Sequence, residues 1–215
     1  PLLVDEAHGG HLRYLGREVE ASAVGADLWV WGTHKLMGSL TQTGLLHLGS
    51  EKIPAGRVEQ ALSLTGSTSP SYILLASLDS TRRHLYLHGR ELFARAAAYG
   101  EKIRNELANL PGVKVLTGEE LPKGYHLDPL KVAFSLAPAG WPGYAAEKVL
   151  REEYRVQVEY ADLHNLYLII SPAQKPREIR GLLKACRALA GTRGPGGDEK
   201  TAPPPFSGGE PLLPP

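Results

Sequence analysis

Apolar residues fall in short blocks over the first fifty positions and in longer periodic stretches afterwards. Leu2-Leu3-Val4 runs into Asp5-Glu6-Ala7-His8-Gly9-Gly10, and Leu28 to Trp31 runs into Gly32-Thr33-His34-Lys35. A third block, Gly44 to Leu48, follows a turn-rich stretch. A short apolar run closed by polar residues reads as a buried strand emptying into a loop. Together these blocks predict the core sheet of an α/β domain, in which ligands tend to sit at strand ends.

The period then lengthens. Ala55 to Leu64 predicts a helix, broken by Thr65-Gly66-Ser67-Thr68-Ser69-Pro70. From Ser71 a helical pattern runs, with a break near His88-Gly89, as far as Leu110, where Pro111-Gly112 stops it. Ala94, Ala96 to Ala98, Ile103 and Leu107 give that stretch its propensity and its apolar face. Beyond it, strands are expected at Val113 to Leu116, Lys131 to Leu136, Val156 to Glu159 and Leu166 to Ile170. Helices are expected at Gly143 to Glu153 and Pro176 to Leu189. The expected organisation is a large-domain portion over 1–88, a connecting helix over 89–110, a smaller α+β domain over 111–190 and a tail over 191–215. In the tail 13 of 25 residues are Gly or Pro, a composition that cannot offset its own ordering entropy, so it is expected to be disordered.

Composition narrows the function classes. The chain has 215 residues, 42% of them hydrophobic, which is enough for a core. Lys and Arg number 24 against 23 Asp and Glu, and this balance argues against nucleic acid as a partner. The single cysteine, Cys186, excludes a disulfide framework and suits a reducing cytosol. The longest uncharged run, Gln60 to Leu78, is interrupted by Ser, Thr, Gly and Pro and does not read as a membrane span. His8, His11, His34 and His47 lack zinc-ligand spacing, so no metal site is expected. His84 and His88, beside Arg82, Arg83 and Arg90, read as a solvated helix face. The chain opens on Pro1 and an apolar run, and its only methionine is Met37, so position 1 is not expected to be a native start.

The candidate chemistry lies at two strand ends. A lysine amine forms Schiff bases once deprotonated. An aldehyde cofactor that serves as an electron sink needs such a lysine, with a carboxylate to keep its pyridine nitrogen protonated. Lys35 and Asp5 are placed to supply the pair from neighbouring strands, although Asp and Lys at strand ends are common and spacing alone is a weak signal.

Flanking motifs add specificity. Asp5-Glu6-Ala7-His8-Gly9, Thr33-His34-Lys35 with Leu40-Thr41-Gln42-Thr43, and Ser69-Pro70-Ser71-Tyr72 with Leu75-Ala76-Ser77-Leu78-Asp79 occur in this order. In these motifs the chain resembles the bacterial ornithine/lysine/arginine decarboxylases, pyridoxal-phosphate (PLP) enzymes of the aspartate aminotransferase fold. The likeness covers roughly residues 1–90 and continues more weakly to about residue 190, through Asp128-Pro129-Leu130-Lys131, Gly143-Tyr144 and Val158-Glu159-Tyr160-Ala161-Asp162. It implies a partial PLP-transferase large domain, then a small α+β domain, in a cytoplasmic enzyme of polyamine biosynthesis that forms a homodimer or higher homo-oligomer. It also implies that Lys35 is the Schiff-base lysine, that Asp5 pairs with the pyridinium nitrogen, that Ala7 packs on the ring and that His8 lines the site. His34 would reach the cofactor phosphate, and Ser67 and Thr68 the phosphate bound by a neighbouring subunit.

The chain departs from the family pattern in places. Gly32 stands where the family usually has a phosphate-contacting Ser, and Gly44 where a small Ser, Thr or Ala is preferred. The family's phosphate loop and ring-stacking residue lie upstream of the position of Asp5. The resemblance therefore implies decarboxylation of arginine, lysine or ornithine by a protein of which this is a part. The alternatives are an aminotransferase or carbon–sulfur lyase on the same fold, for whose substrate carboxylate Arg151, Arg155 and Arg177 are available, and a non-catalytic truncated decarboxylase with an interaction role.

Overall fold

The computed structural model describes residues 1–16 and 20–196. The chain divides into two compact units, Pro1–Ala97 and Ala98–Pro215.

The first unit holds a three-stranded sheet in the order β1-β2-β3. Strand β1 (Leu3–Asp5) runs parallel to β2 (Leu28–Trp31), with Leu3 opposite Leu28 and Asp5 opposite Val30. Strand β3 (Leu45–Leu48) returns antiparallel to β2. A single turn of helix, α1 (Thr33–Leu36), follows β2 directly, and α2 (Ala55–Thr65) follows β3. The core of this unit gathers Trp31, Leu36, Met37, Leu85, Phe93 and His11. Phe93 is fully buried, with the rings of Tyr14 and His11 at centroid distances of 5.4 and 5.8 Å.

Two expectations change here. The three strands were expected to be buried, but Leu3 is 63% exposed and Leu46 and Leu48 are each 41% exposed. Strand β1 has one neighbour in the sheet, and α2 contributes no buried residue of its own. An apolar cleft of about 410 Å³ therefore lies open between Leu3, Leu28 and Leu46 of the sheet and Ile53, Val58 and Leu62. The expected break at His88-Gly89 does not form either. Helix α3 is continuous from Tyr72 to Ala108. Gly89 serves close packing instead, because a Cβ there would meet the Tyr14 ring at 2.5 Å. The helix outweighs the roughly 0.5–1 kcal/mol that a mid-helix glycine costs.

The second unit is built on an antiparallel sheet in the order β4-β5-β7-β6 (Lys114–Val115, Lys131–Ser135, Leu166–Ile169, Tyr160–Ala161). Alternate residues of β5 and β7 are buried, which is the period-two pattern of a sheet with one covered face. Helices α4 (Gly143–Glu152) and α5 (Pro176–Ala190) carry apolar stripes, α5 through Ile179, Leu182, Leu183, Cys186 and Leu189. The strand expected over Val156–Glu159 starts later, at Tyr160. Its backbone is diverted: Arg155 adopts a left-handed φ of 57°, and the Val156 N–H donates to Leu150 at the end of α4. Pairing with β7 begins only where the Glu159 N–H reaches the Tyr167 carbonyl.

At the start of the Gly/Pro-rich segment, Gly194 and Gly196 N–H groups donate to the Ala139 and Gly140 carbonyls. Trp141 Nε1 donates to the Leu189 and Thr192 carbonyls. The expectation for the rest of that segment lies outside the described residues.

Candidate active site

Because β1 and β2 are parallel, their C-terminal ends open on the same edge of the sheet, and the two sequence-predicted segments meet there. The Gly32 N–H donates to the Ala7 carbonyl at 3.1 Å, and the Lys35 N–H turns back to the Gly32 carbonyl at 2.9 Å, starting α1. A Cβ on Gly32 would lie 3.0 Å from both the Ala7 oxygen and Lys35 Cγ, and 3.6 Å from Ala7 Cβ. The missing side chain is thus what lets the lysine stem lie over the loop that follows β1. Asp5, at the end of β1, accepts the Ala7 N–H on Oδ1 at 3.0 Å, which fixes its carboxylate beside the same loop. Asp5 and Lys35 are exposed, while Ala7, His8 and His34 are half-buried.

The lysine turn is braced by buried hydroxyls. Thr43 Oγ1 donates to the Leu40 carbonyl at 2.6 Å, so its proton is committed. Thr33 Oγ1 at 3.1 Å and Ser39 Oγ at 2.6 Å must then donate to it. The Thr43 carbonyl accepts from His34 Nδ1 at 2.7 Å. The loop carries Gln42 at a φ of 76° and is tied to α3 where the Leu40 N–H donates to Ser77 Oγ at 2.9 Å.

The sequence reading names Asp5 for the site and gives Glu6 no role, and the structure supplies one. Glu6 is buried and fully engaged, accepting the Ala21 N–H at 2.9 Å and Trp31 Nε1–H at 2.6 Å. It fastens β1 to β2 from within, whereas Asp5 faces outward at the edge. His47 was also missed as a structural group. It stacks on Trp29 at 5.0 Å and tilts against Trp31 at 4.3 Å, and burial lowers its pKa despite the opposing pull of Glu6. Asp27, buried at the start of β2, accepts from Ser50 Oγ and the Leu2 N–H and faces Lys52 Nζ at 3.4 Å. Those hydrogen bonds, Ser50 foremost, hold its carboxyl down at about 2. Only an alignment could have marked these groups, since an isolated Glu, His or Asp carries no pattern.

Ser67 and Thr68 lie on the exposed loop between α2 and α3, where Ser67 Oγ accepts the Ser69 N–H at 3.1 Å. The first unit does not bring them into contact with Lys35 or Asp5 among the described residues. No group of three His, Cys, Asp or Glu side chains among the described residues is arranged to hold a metal ion. No helix among them is long and apolar enough to cross a membrane.

This edge can be set beside known proteins. Residues 1–121 match the family model described as the major domain of the Orn/Lys/Arg decarboxylases. The chain belongs to that family. An arginine decarboxylase of Halalkalibacterium halodurans is 38% identical over 193 residues, covering 88% of this chain and 39% of that enzyme. One of Bacillus subtilis is 35% identical with the same coverage. The family chain therefore spans about two-fifths of the length of these relatives. Among solved structures, the Escherichia coli constitutive lysine decarboxylase superposes with a TM-score of 0.62 at 20% identity, over 75% of this chain and 28% of the other. An alanine–glyoxylate aminotransferase from Nostoc superposes with a TM-score of 0.65 at 16% identity, over 87% and 53%. These likenesses establish the fold: part of a PLP-transferase large domain followed by a small α+β domain.

Proposed function

We propose that this chain supplies the lysine and aspartate of a PLP-dependent decarboxylase acting on a basic amino acid, with arginine the first candidate because the 35–38% identical relatives bear that name. The observation that carries the proposal is the junction of Ala7, Gly32 and Lys35 at the shared edge of β1 and β2, with Asp5 held beside it. The residues fit the cofactor: Lys35 and Asp5 are exposed at one sheet edge, and the small residues Ala7 and Gly32 meet beside them. Bound there, PLP would supply an electron sink for the pair left behind when carbon dioxide departs. Lys35 would hold the cofactor through its aldehyde. Asp5 keeps a proton on the ring nitrogen, so that the sink is electron-poor when charge develops. Ala7 would pack on one ring face, His8 would line the site, His34 would face the phosphate, and Ser67 and Thr68 would reach the phosphate bound by a neighbouring subunit.

Borohydride reduction of the PLP-treated protein and peptide mapping test this reading. The label is expected on Lys35, and a label on Lys52 or Lys131 refutes the assignment. Release of carbon dioxide from arginine, lysine or ornithine, against keto-acid formation, separates a decarboxylase from an aminotransferase.

A second reading is favoured by one observation, the open apolar cleft beside β1. In this reading the chain is a non-catalytic member of the family that pairs with a further polypeptide through that face. Turnover by the isolated chain would refute it.

A further inference from the structure

Resting on the cofactor reading, we infer that His34 must be doubly protonated to hold the phosphate, so that phosphate binding and a proton on His34 Nε2 are one linked event. The argument starts from Thr43. Its carbonyl can only accept, so His34 Nδ1, 2.7 Å away, carries the ring's first proton. The carbonyl cannot easily turn aside. The residue's own hydroxyl is held by Leu40, Thr33 and Ser39, and the preceding Gln42 sits in the left-handed region. A neutral His34 therefore presents a bare Nε2, a lone pair. Phosphate oxygens also only accept, and a bare nitrogen turned toward a dianion repels it. Adding a proton to Nε2 converts that repulsion into a charge-assisted hydrogen bond.

The loop beside it supplies no second cation at this point. The loop packed on His34, Ser39 to Gly44, contains no charged residue. Asp79, close to the Ser77 that ties this loop to α3, is paired with Arg82. Of the remaining charged groups at this edge, Lys35 is committed to the aldehyde in the proposed function and Asp5 is anionic. Gly32, in the position where the family usually has a hydroxyl donor, leaves the phosphate more dependent on His34.

Nitrogen-15 spectra of histidine-labelled protein give the first test, with His34 assigned by the signals lost in His34→Gln. In ligand-free protein with a neutral ring, the proton is expected on Nδ1. Saturating inorganic phosphate, or PLP, should protonate Nε2 as well. The second test is equilibrium PLP binding at pH 6.5 and 8.5, where the ester phosphate is already mostly dianionic. Affinity of the natural protein should fall by about tenfold or more across that range, because binding takes up a proton. In His34→Gln the amide donates without protonation, and the fall should shrink to about threefold or less.

An Nε2–H ring in the free protein overturns the inference, as does the same pH profile in both proteins. So does PLP reduced onto Lys35 while His34 remains singly protonated, an outcome that leaves the cofactor reading intact. Failure to label Lys35 at any pH sinks the cofactor reading instead, and the response of His34 to inorganic phosphate then decides the inference alone.

Discussion

Glu6→Ala and Asp5→Ala alter adjacent carboxylates and should fail in opposite ways. Glu6 is 9% exposed and satisfies two donors, the Ala21 N–H at 2.9 Å and Trp31 Nε1–H at 2.6 Å. Truncating it leaves both donors unpaired, each at about 1–3 kcal/mol. Its Cγ also closes over Gly9, where a Cβ would overlap it, so truncation opens a gap at the end of β1. Releasing a carboxylate from a site that had desolvated it returns part of this. A net loss of about 2–3 kcal/mol remains, which for a unit of this size lowers its melting temperature by roughly 10–15 °C. Asp5 is exposed and bonds only locally to the Ala7 N–H, so Asp5→Ala should stay within about 0.5 kcal/mol of the natural protein. Urea and thermal unfolding, followed by circular dichroism and tryptophan fluorescence, measure both. Glu6→Ala unfolding within about 0.5 kcal/mol of the natural protein would refute the buried role given to Glu6. A large loss in Asp5→Ala would show that the outward carboxylate is structural.

Other expectations follow from single contacts. Asp5→Ala should keep the borohydride label on Lys35 but lose most turnover in any assembly that turns over, and near-normal carbon dioxide release would contradict its pairing with the ring nitrogen. Gly89→Ala should destabilise the first unit by about 1–3 kcal/mol in urea unfolding, since the added Cβ meets the Tyr14 ring at 2.5 Å and outweighs the gain in helix propensity; a stabilised variant would show that Tyr14 moves aside. Asp27, held at about 2 in the folded chain against an ordinary value of 3.8, contributes stability that is full above pH 4 and is lost as pH falls through about 2; Asp27→Asn should remove that acid dependence, and an unchanged acid limb would refute it. Cys186, fully buried with its thiol pushed up to about 12, should resist alkylation at pH 8 until the second unit unfolds.

Much of the fold was legible because hydrophobic period and punctuation agreed. The strands at Leu28–Trp31 and Lys131–Ser135, and the helix starting at Pro176, have the expected boundaries to within a residue. What was not legible depended on tertiary partners. An isolated glycine in a helical pattern reads as a break, and only the Tyr14 ring against Gly89 shows that it serves packing. Val156 to Glu159 has strand-like alternation, but the end of α4 claims the Val156 N–H first. Burial of the first three strands failed as an expectation because apolar sequence reports what a strand can cover, not whether this chain provides the cover. Leu3, Leu46 and Leu48 have the composition of a core and the exposure of a surface.

The site divides along the same line. The sequence singles out Asp5 and Lys35 because the motifs around them are distinctive, and the parallel pairing of β1 with β2 explains how residues thirty positions apart come to share an edge. Their neighbours were not identifiable, because their importance lies in atoms that a residue name does not specify. Glu6 and Asp5 are the same chemical type one position apart. In the extended chain near β1 successive side chains alternate in direction, so one carboxylate turns inward to Trp31 and the other outward to the edge. His34 is a histidine beside a lysine in the sequence. Only the Thr43 carbonyl shows which nitrogen of the neutral ring carries the proton. At Gly32 the absent hydroxyl reads in the sequence as a lost contact. In the structure the absent Cβ leaves room for the Ala7 carbonyl and the Lys35 stem, each of which a Cβ would meet at 3.0 Å.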